Sequence, residues 1–127
     1  MYSRQGSSAY GEVGFDASCS ASLLVASRSA QVGSIGSYAT HLDISEMLKN
    51  SGVKLEVLKN KEADFKAIGL PGTSLTDQQR SYLQSRNQSG FNEFRAAVKS
   101  KRPQVSDDSM RGQSFNGIEA KAAGLVD

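Results

Sequence analysis

Apolar and polar positions alternate most clearly in VKLEVL, Val53 to Leu58, with the period of two expected of a strand. LLVAS, Leu23 to Ser27, is a continuous apolar run of strand length, and SYATHL, Ser37 to Leu42, is a second strand entered from the glycine-bracketed turn Gly33-Ser34-Ile35-Gly36. At Asp43 the period changes. Ile44, Met47 and Leu48 share one helical face, Asp43 and Glu46 have the spacing of a capping box, and Gly52 stands where a helix ends in the left-handed conformation. Thr76 and Gln79 repeat the capping-box spacing ahead of a long helix whose apolar face holds Leu83, Phe91, Phe94 and Val98. That helix must stop before Pro103, because the residue preceding a proline leaves the helical region. One or two helical turns follow over Ser106 to Arg111, and Gly117 to Ala123 reads as a short helix closed by Gly124. Upstream, residues 1–11 are rich in Ser, Gly and Gln and read as a loose arm, while Glu12 to Ala21 reads as a small-residue helix. No repeat or linker divides the chain, so the expectation is a single α/β unit.

Composition narrows the classes. The 127 residues are 38% hydrophobic and 22% charged, with no Trp, which predicts a globular chain with a thin core completed by partner surfaces. The formal charge is only +2 and the signs are interspersed, so no nucleic acid or anionic surface is expected as partner. The one basic cluster, Lys99-Ser100-Lys101-Arg102, falls at a helix C-terminus and reads as capping of the macrodipole. A lone Cys19 makes no internal disulfide, and a lone His41 offers no His pair, so no metal site of paired Cys or His is expected. A Cys19–His41 catalytic pair is set aside because Cys19 lies among packed small residues, where thiols are inert. No apolar stretch approaches the roughly 20 residues needed to cross a bilayer, and MYSRQGSSAYGEVG lacks an apolar signal-peptide core. A cytoplasmic protein with no direct membrane span is the expectation.

One lysine stands apart. Lys66 in DFKAIGLPG follows Phe65, precedes Ala67-Ile68, and runs into Gly69, Pro71 and Gly72, whereas most other lysines sit among polar residues. On residue type alone it reads as a loop ammonium paired with Glu62 or Asp64. A dry setting would give it another use, because burial disfavours the ammonium and lowers a pKa that is ordinarily ~10.4.

GSIG at 33–36, KAIG at 66–69, LTDQQRSYLQ at 75–84 and FNGIEAKAAGLVD at 115–127 occur in an order that resembles the signal peptide peptidase A (protease IV) family, which includes phage and prophage head-maturation proteases. The resemblance implies an α/β spiral fold of the Clp peptidase/crotonase type. It covers only the C-terminal half of such a domain, so residues 1–127 read as one peptidase domain that is N-terminally incomplete. It implies a Ser-Lys peptidase acting on signal peptides or phage capsid and scaffold proteins, with Lys66 as general base. Ring-like homo-oligomers, no cofactor, and a bacterial or phage-infected cytoplasm are also implied. Gly33 and Ser34 would lie near the active site.

The resemblance leaves two positions open for the nucleophile. Ser7-Ser8-Ala9-Tyr10 matches the family's Ser-small-small-Tyr motif if about five residues are inserted before GSIG, making Ser7 the nucleophile. Ungapped counting from Gly33 instead puts Glu12 in the serine's place and Phe15 at the aromatic position, which would make the chain a non-catalytic subunit with an assembly role. The family's upstream glycine-rich turn, a contributor to the oxyanion hole, has no counterpart in these residues. A crotonase-like acyl-CoA enzyme shares the fold class but finds no local support.

Overall fold

The computed structural model describes residues 21–127; Ser7, Glu12, Cys19 and the arm expected over residues 1–11 lie outside the described residues. Two compact units are present, one of the described part of Met1–Tyr38 together with Gln88–Asp127, the other of Ala39–Asn87. In chain order the elements are β1 (Val32–Gly33), α1 (Ser45–Asn50), α2 (Asp77–Lys101), a 3₁₀ turn (Asp107–Ser109), β2 (Ser114–Phe115) and α3 (Gly117–Ala122).

In the first unit, burial is concentrated on Ile35, Val98, Val105, Met110, Ala120, Leu125 and Val126, with Leu24, Phe91, Phe94 and Phe115 packed against them. Phe91, Phe94 and Val98 are three of the four apolar positions expected on the long helix. Each fully buried aliphatic side chain contributes roughly 1.5–3 kcal/mol. The sheet is a two-residue antiparallel bridge, Val32 opposite Phe115 and Gly33 opposite Ser114. It continues past its formal end: Ser34 N–H donates to Gln113 O at 2.8 Å and Gly112 N–H to Ile35 O at 2.9 Å. Gly33 is required there. Its φ is +121°, and a Cβ would lie 2.7 Å from Gln113 O.

The basic cluster at the end of α2 does more than meet the helix dipole. Arg102 is only 5% exposed and forks onto the carboxylate of Asp127, with NH2–Oδ2 at 3.0 Å and NH1–Oδ1 at 3.3 Å. Asp127 in turn accepts the Leu24 N–H, and its own N–H donates to Leu24 O, both at 2.8 Å. The Arg102 guanidinium and the Leu24 N–H hold the Asp127 carboxyl below its ordinary range. Reading Arg102 as a cap of the macrodipole is therefore corrected: its partner lies 25 residues away and is bonded bidentately. Lys99 pairs with Asp107 at 3.3 Å and bonds Val105 O, tying α2 to the 3₁₀ turn.

Three of four local signals expected at helix ends are present, and one is not. α1 ends in a Schellman arrangement, Val53 N–H to Leu48 O and Gly52 N–H to Lys49 O, with Gly52 at φ +71°. The Asp43–Glu46 capping box does not form; Asp43 accepts the Ser45 N–H instead. α2 opens with the reciprocal Thr76–Gln79 bonds, both 3.2 Å, and ends before Pro103. α3 carries a full capping box, Asn116 with Glu119, that the sequence reading passed over.

The three longer strands do not form. Residues 23–27, 37–42 and 53–58 have no ladder partner among the described residues, and Leu23, Val25, Leu42, Val53, Leu55 and Leu58 are exposed. Strand alternation creates a face to be buried, but only a neighbouring backbone supplies the hydrogen bonds.

Two glycines give opposite expectations. A Cβ on Gly117 would meet Ser27 O at 2.0 Å, so Gly117→Ala should cost about 1–3 kcal/mol, read as a lower urea midpoint. Gly90 lies inside α2 with open space around it, and Gly90→Ala should instead stabilise by about 0.5–1 kcal/mol.

Candidate active site

The loop that carries Lys66 belongs to the second unit, residues Ala39–Asn87, in which no described side chain is fully buried. Its shape comes from hydrogen bonds. Successive turns close through Ala63 N–H to Asn60 O, Lys66 N–H to Ala63 O, Leu70 N–H to Ala67 O and Thr73 N–H to Leu70 O, all 3.1–3.2 Å. Lys59 Nζ adds a bond to Ala63 O at 2.9 Å. Within this run Ala67 has φ +58°, a left-handed backbone that costs a non-glycine residue roughly 1–2 kcal/mol.

Two anchors fix the loop. Near its start, Gln79 in the first turn of α2 reaches back so that its Nε2 donates to Asp64 O at 2.6 Å, two residues before Lys66. At its far end, His41 bonds Thr73 O through Nε2 at 2.9 Å. A carbonyl only accepts, so Nε2 carries the proton in this contact, and the buried Nδ1 finds no partner among the described residues. Beside it, Ser74 donates to Asp43 Oδ2 at 2.7 Å, and the Ser74 and Ser45 hydroxyls meet at 3.3 Å. The Ser45 hydroxyl, the Ser74 hydroxyl and the Ser45 N–H lower the Asp43 carboxyl to about 2, with a smaller contribution from His41.

Lys66 itself is exposed. Neither Glu62 nor Asp64 pairs with it: Glu62 accepts from Asn60 at 3.1 Å, and Asp64 is engaged through its carbonyl. Phe65, next to the lysine in sequence, packs its ring against Tyr82 at a tilt, with ring centroids 4.7 Å apart. The dry setting that a general base would need is therefore not built around Lys66 by its own loop.

Gly33 and Ser34 lie in the other unit, at the end of β1. Ser34 has φ +57°, its N–H is taken by Gln113 O, and its side chain is exposed. Ser7 and Glu12 lie outside the described residues. No cluster of three or more His, Cys, Asp or Glu side chains suited to a metal occurs among the described residues. Gln79, His41 and Asp43 escaped the sequence reading as loop anchors. The Thr76–Gln79 spacing pointed to Gln79 as half of a cap; nothing in the sequence distinguished His41 or Asp43 as anchors.

The Asp43 carboxyl sets a pH dependence. Because its folded value lies below its unfolded one, its contribution to stability is complete above about pH 4 and is lost as pH falls toward 2. Urea midpoints of the wild type should therefore drop between pH 5 and pH 2.5 by more than those of Asp43→Asn.

Set beside known proteins, the sequence from residue 7 to 127 matches the model of Peptidase family S49. No curated protein matches it. The matched range runs through the GSIG turn, the Lys66 loop and the C-terminal α3 segment, and includes both positions left open for the nucleophile. Membership carries the expectation of a serine peptidase of Clp-like fold, and the described residues contain both helices and strands. The chain belongs to peptidase family S49, the family of signal peptide peptidase A and protease IV.

Proposed function

We propose that this chain is a single peptidase domain working as a serine endopeptidase with a Ser-Lys dyad, Ser7 as nucleophile and Lys66 as general base. The observation that carries the reading is the family match from residue 7 to 127, a range that contains both Ser7 and Lys66; that Lys66 is the family's lysine rests on the resemblance of KAIG to its motif. Ser7 Oγ attacks the peptide carbonyl while Lys66 Nζ takes its proton. Lys66 Nζ returns that proton to the amine fragment as it leaves the tetrahedral intermediate, and water, deprotonated by the same amine, then hydrolyses the acyl-enzyme to free the serine. Backbone geometry supports the assignment of the motifs. Among the described residues only two non-glycine positions are left-handed, Ser34 and Ala67, and each falls inside a family motif. Strain of this kind persists where the surroundings over-determine it, and such places cluster at functional sites.

A base of this sort needs its ammonium desolvated, and the Lys66 loop does not do this alone. Assembly into a homo-oligomer would supply the cover, a reading supported by the exposed Val53, Leu55 and Leu58. Signal peptides or phage capsid and scaffold proteins are the proposed substrates, acted on in the cytoplasm. No helix among the described residues is long and apolar enough to cross a membrane.

A second reading draws on the exposure of Lys66 and on the ungapped register that puts Glu12 in the nucleophile's place: a non-catalytic pseudo-peptidase subunit that contributes assembly contacts. A fluorophosphonate probe separates the two. Under the peptidase reading Ser7 is labelled, labelling disappears in Lys66→Ala, and kcat falls by roughly 10²–10⁴-fold in that variant. Folded protein that takes no label on any serine establishes the pseudo-peptidase instead.

A further inference from the structure

We infer that Gln79 is a positioning residue for Lys66, a role that rests on the peptidase reading and reaches the lysine through the Asp64 carbonyl. The side chain uses both ends of its amide. Oε1 accepts the Thr76 N–H at 3.2 Å, completing the cap of α2, and Nε2 donates to Asp64 O at 2.6 Å. A helix N-terminus and the base-bearing turn are thereby joined by one planar group whose two ends are set by its own covalent geometry.

The connection to Lys66 is short. From Asp64 the chain passes through Phe65 to Lys66, whose N–H closes the turn on Ala63 O. Phe65 adds a side contact on Tyr82, another residue of α2. The strained Ala67 follows at once, so an unanchored loop has every incentive to relax φ at that position. Without a buried side chain anywhere in residues 39–87, that relaxation is opposed chiefly by hydrogen bonds, and the Gln79–Asp64 bond is the nearest long-range one to Lys66.

The chemistry also explains why an amide serves here. A capping box accepts Glu or Gln equally, since only an acceptor oxygen is needed for the N-cap N–H. The second task requires a donor, which a carboxylate lacks. Gln79→Glu therefore keeps the cap and the favourable acid in the first helical turn, yet sets oxygen against the Asp64 carbonyl. Thr76→Ala does the converse: it removes the hydroxyl of the cap and leaves the backbone N–H and the Gln79–Asp64 bond in place.

The experiment combines peptide-cleavage kinetics with site-resolved amide hydrogen exchange on wild type, Gln79→Glu, Gln79→Ala and Thr76→Ala. In Gln79→Glu and Gln79→Ala the Lys66 amide should exchange about tenfold faster, as loss of one hydrogen bond predicts. In both, kcat should fall by about 10²-fold with KM nearly unchanged, the effect of a misplaced catalytic group. Thr76→Ala should do neither. An unaltered Lys66 amide in both Gln79 variants overturns the proposal, as does a kcat loss in them no larger than in Thr76→Ala. Wild-type protein indistinguishable from Lys66→Ala in turnover removes the peptidase reading, and Gln79's catalytic role with it. Fast exchange in the Gln79 variants would then still establish the Gln79–Asp64 bond as a structural element.

Discussion

Apolar burial in this chain is unevenly distributed, and the rest of the structure follows from that constraint. Ile35, Val98, Val105, Met110, Ala120, Leu125 and Val126 are withdrawn from water in one unit, while residues 39–87 bury no described side chain completely. Where a core exists it fixes the backbone by excluding alternatives. Elsewhere the conformational entropy of each residue, roughly 1–2 kcal/mol, must be opposed by directed polar contacts. The Lys66 loop is built in this second manner, from a succession of turns, a glutamine amide at one end and the His41–Thr73 and Asp43–Ser74 bonds at the other.

The two family motifs meet this constraint differently. GSIG is locked by long-range backbone pairing to residues 112–115, with fully buried Ile35 as its plug, so the left-handed Ser34 is held by core packing. KAIG has no comparable plug. Its left-handed Ala67 sits between turns, and its neighbours Phe65 and Leu70 remain partly exposed. A rigid motif and a hydrogen-bonded motif are thus combined in one sequence, and the chemistry assigned to Lys66 depends on the softer of them.

Legibility in the sequence followed the range of the interaction. The Thr76–Gln79 cap, the stop before Pro103 and the left-handed Gly52 are decided within a few residues, and each was readable. The Asn116–Glu119 box was equally local and went unread. Residues 23–27, 37–42 and 53–58 had strand patterning without a strand, because pairing is decided by a second segment that alternation cannot name. The bridge between 32–33 and 114–115 spans too few residues to leave a periodic signal. Arg102 looked like a helix cap because its true partner, Asp127, is distant in sequence. For the site, Lys66 was singled out by its unusual neighbours and its motif. Its exposure was not legible, since Phe65 had a competing ring at Tyr82. Ser7 and Glu12 lie outside the described residues.

The unpaired segment from Val53 to Leu58 has a consequence for behaviour in solution. Its apolar side chains are open to water and, beyond the Val53 N–H held by Leu48 O, its backbone has no ladder partner among the described residues, the combination that ordinarily nucleates cross-β growth. Lys54 and Glu56 alternate with those side chains, and Lys59 follows at once. Stacking identical copies in register would lay like charge on like charge at each of these three positions, so the segment carries its own gatekeepers against fibre formation.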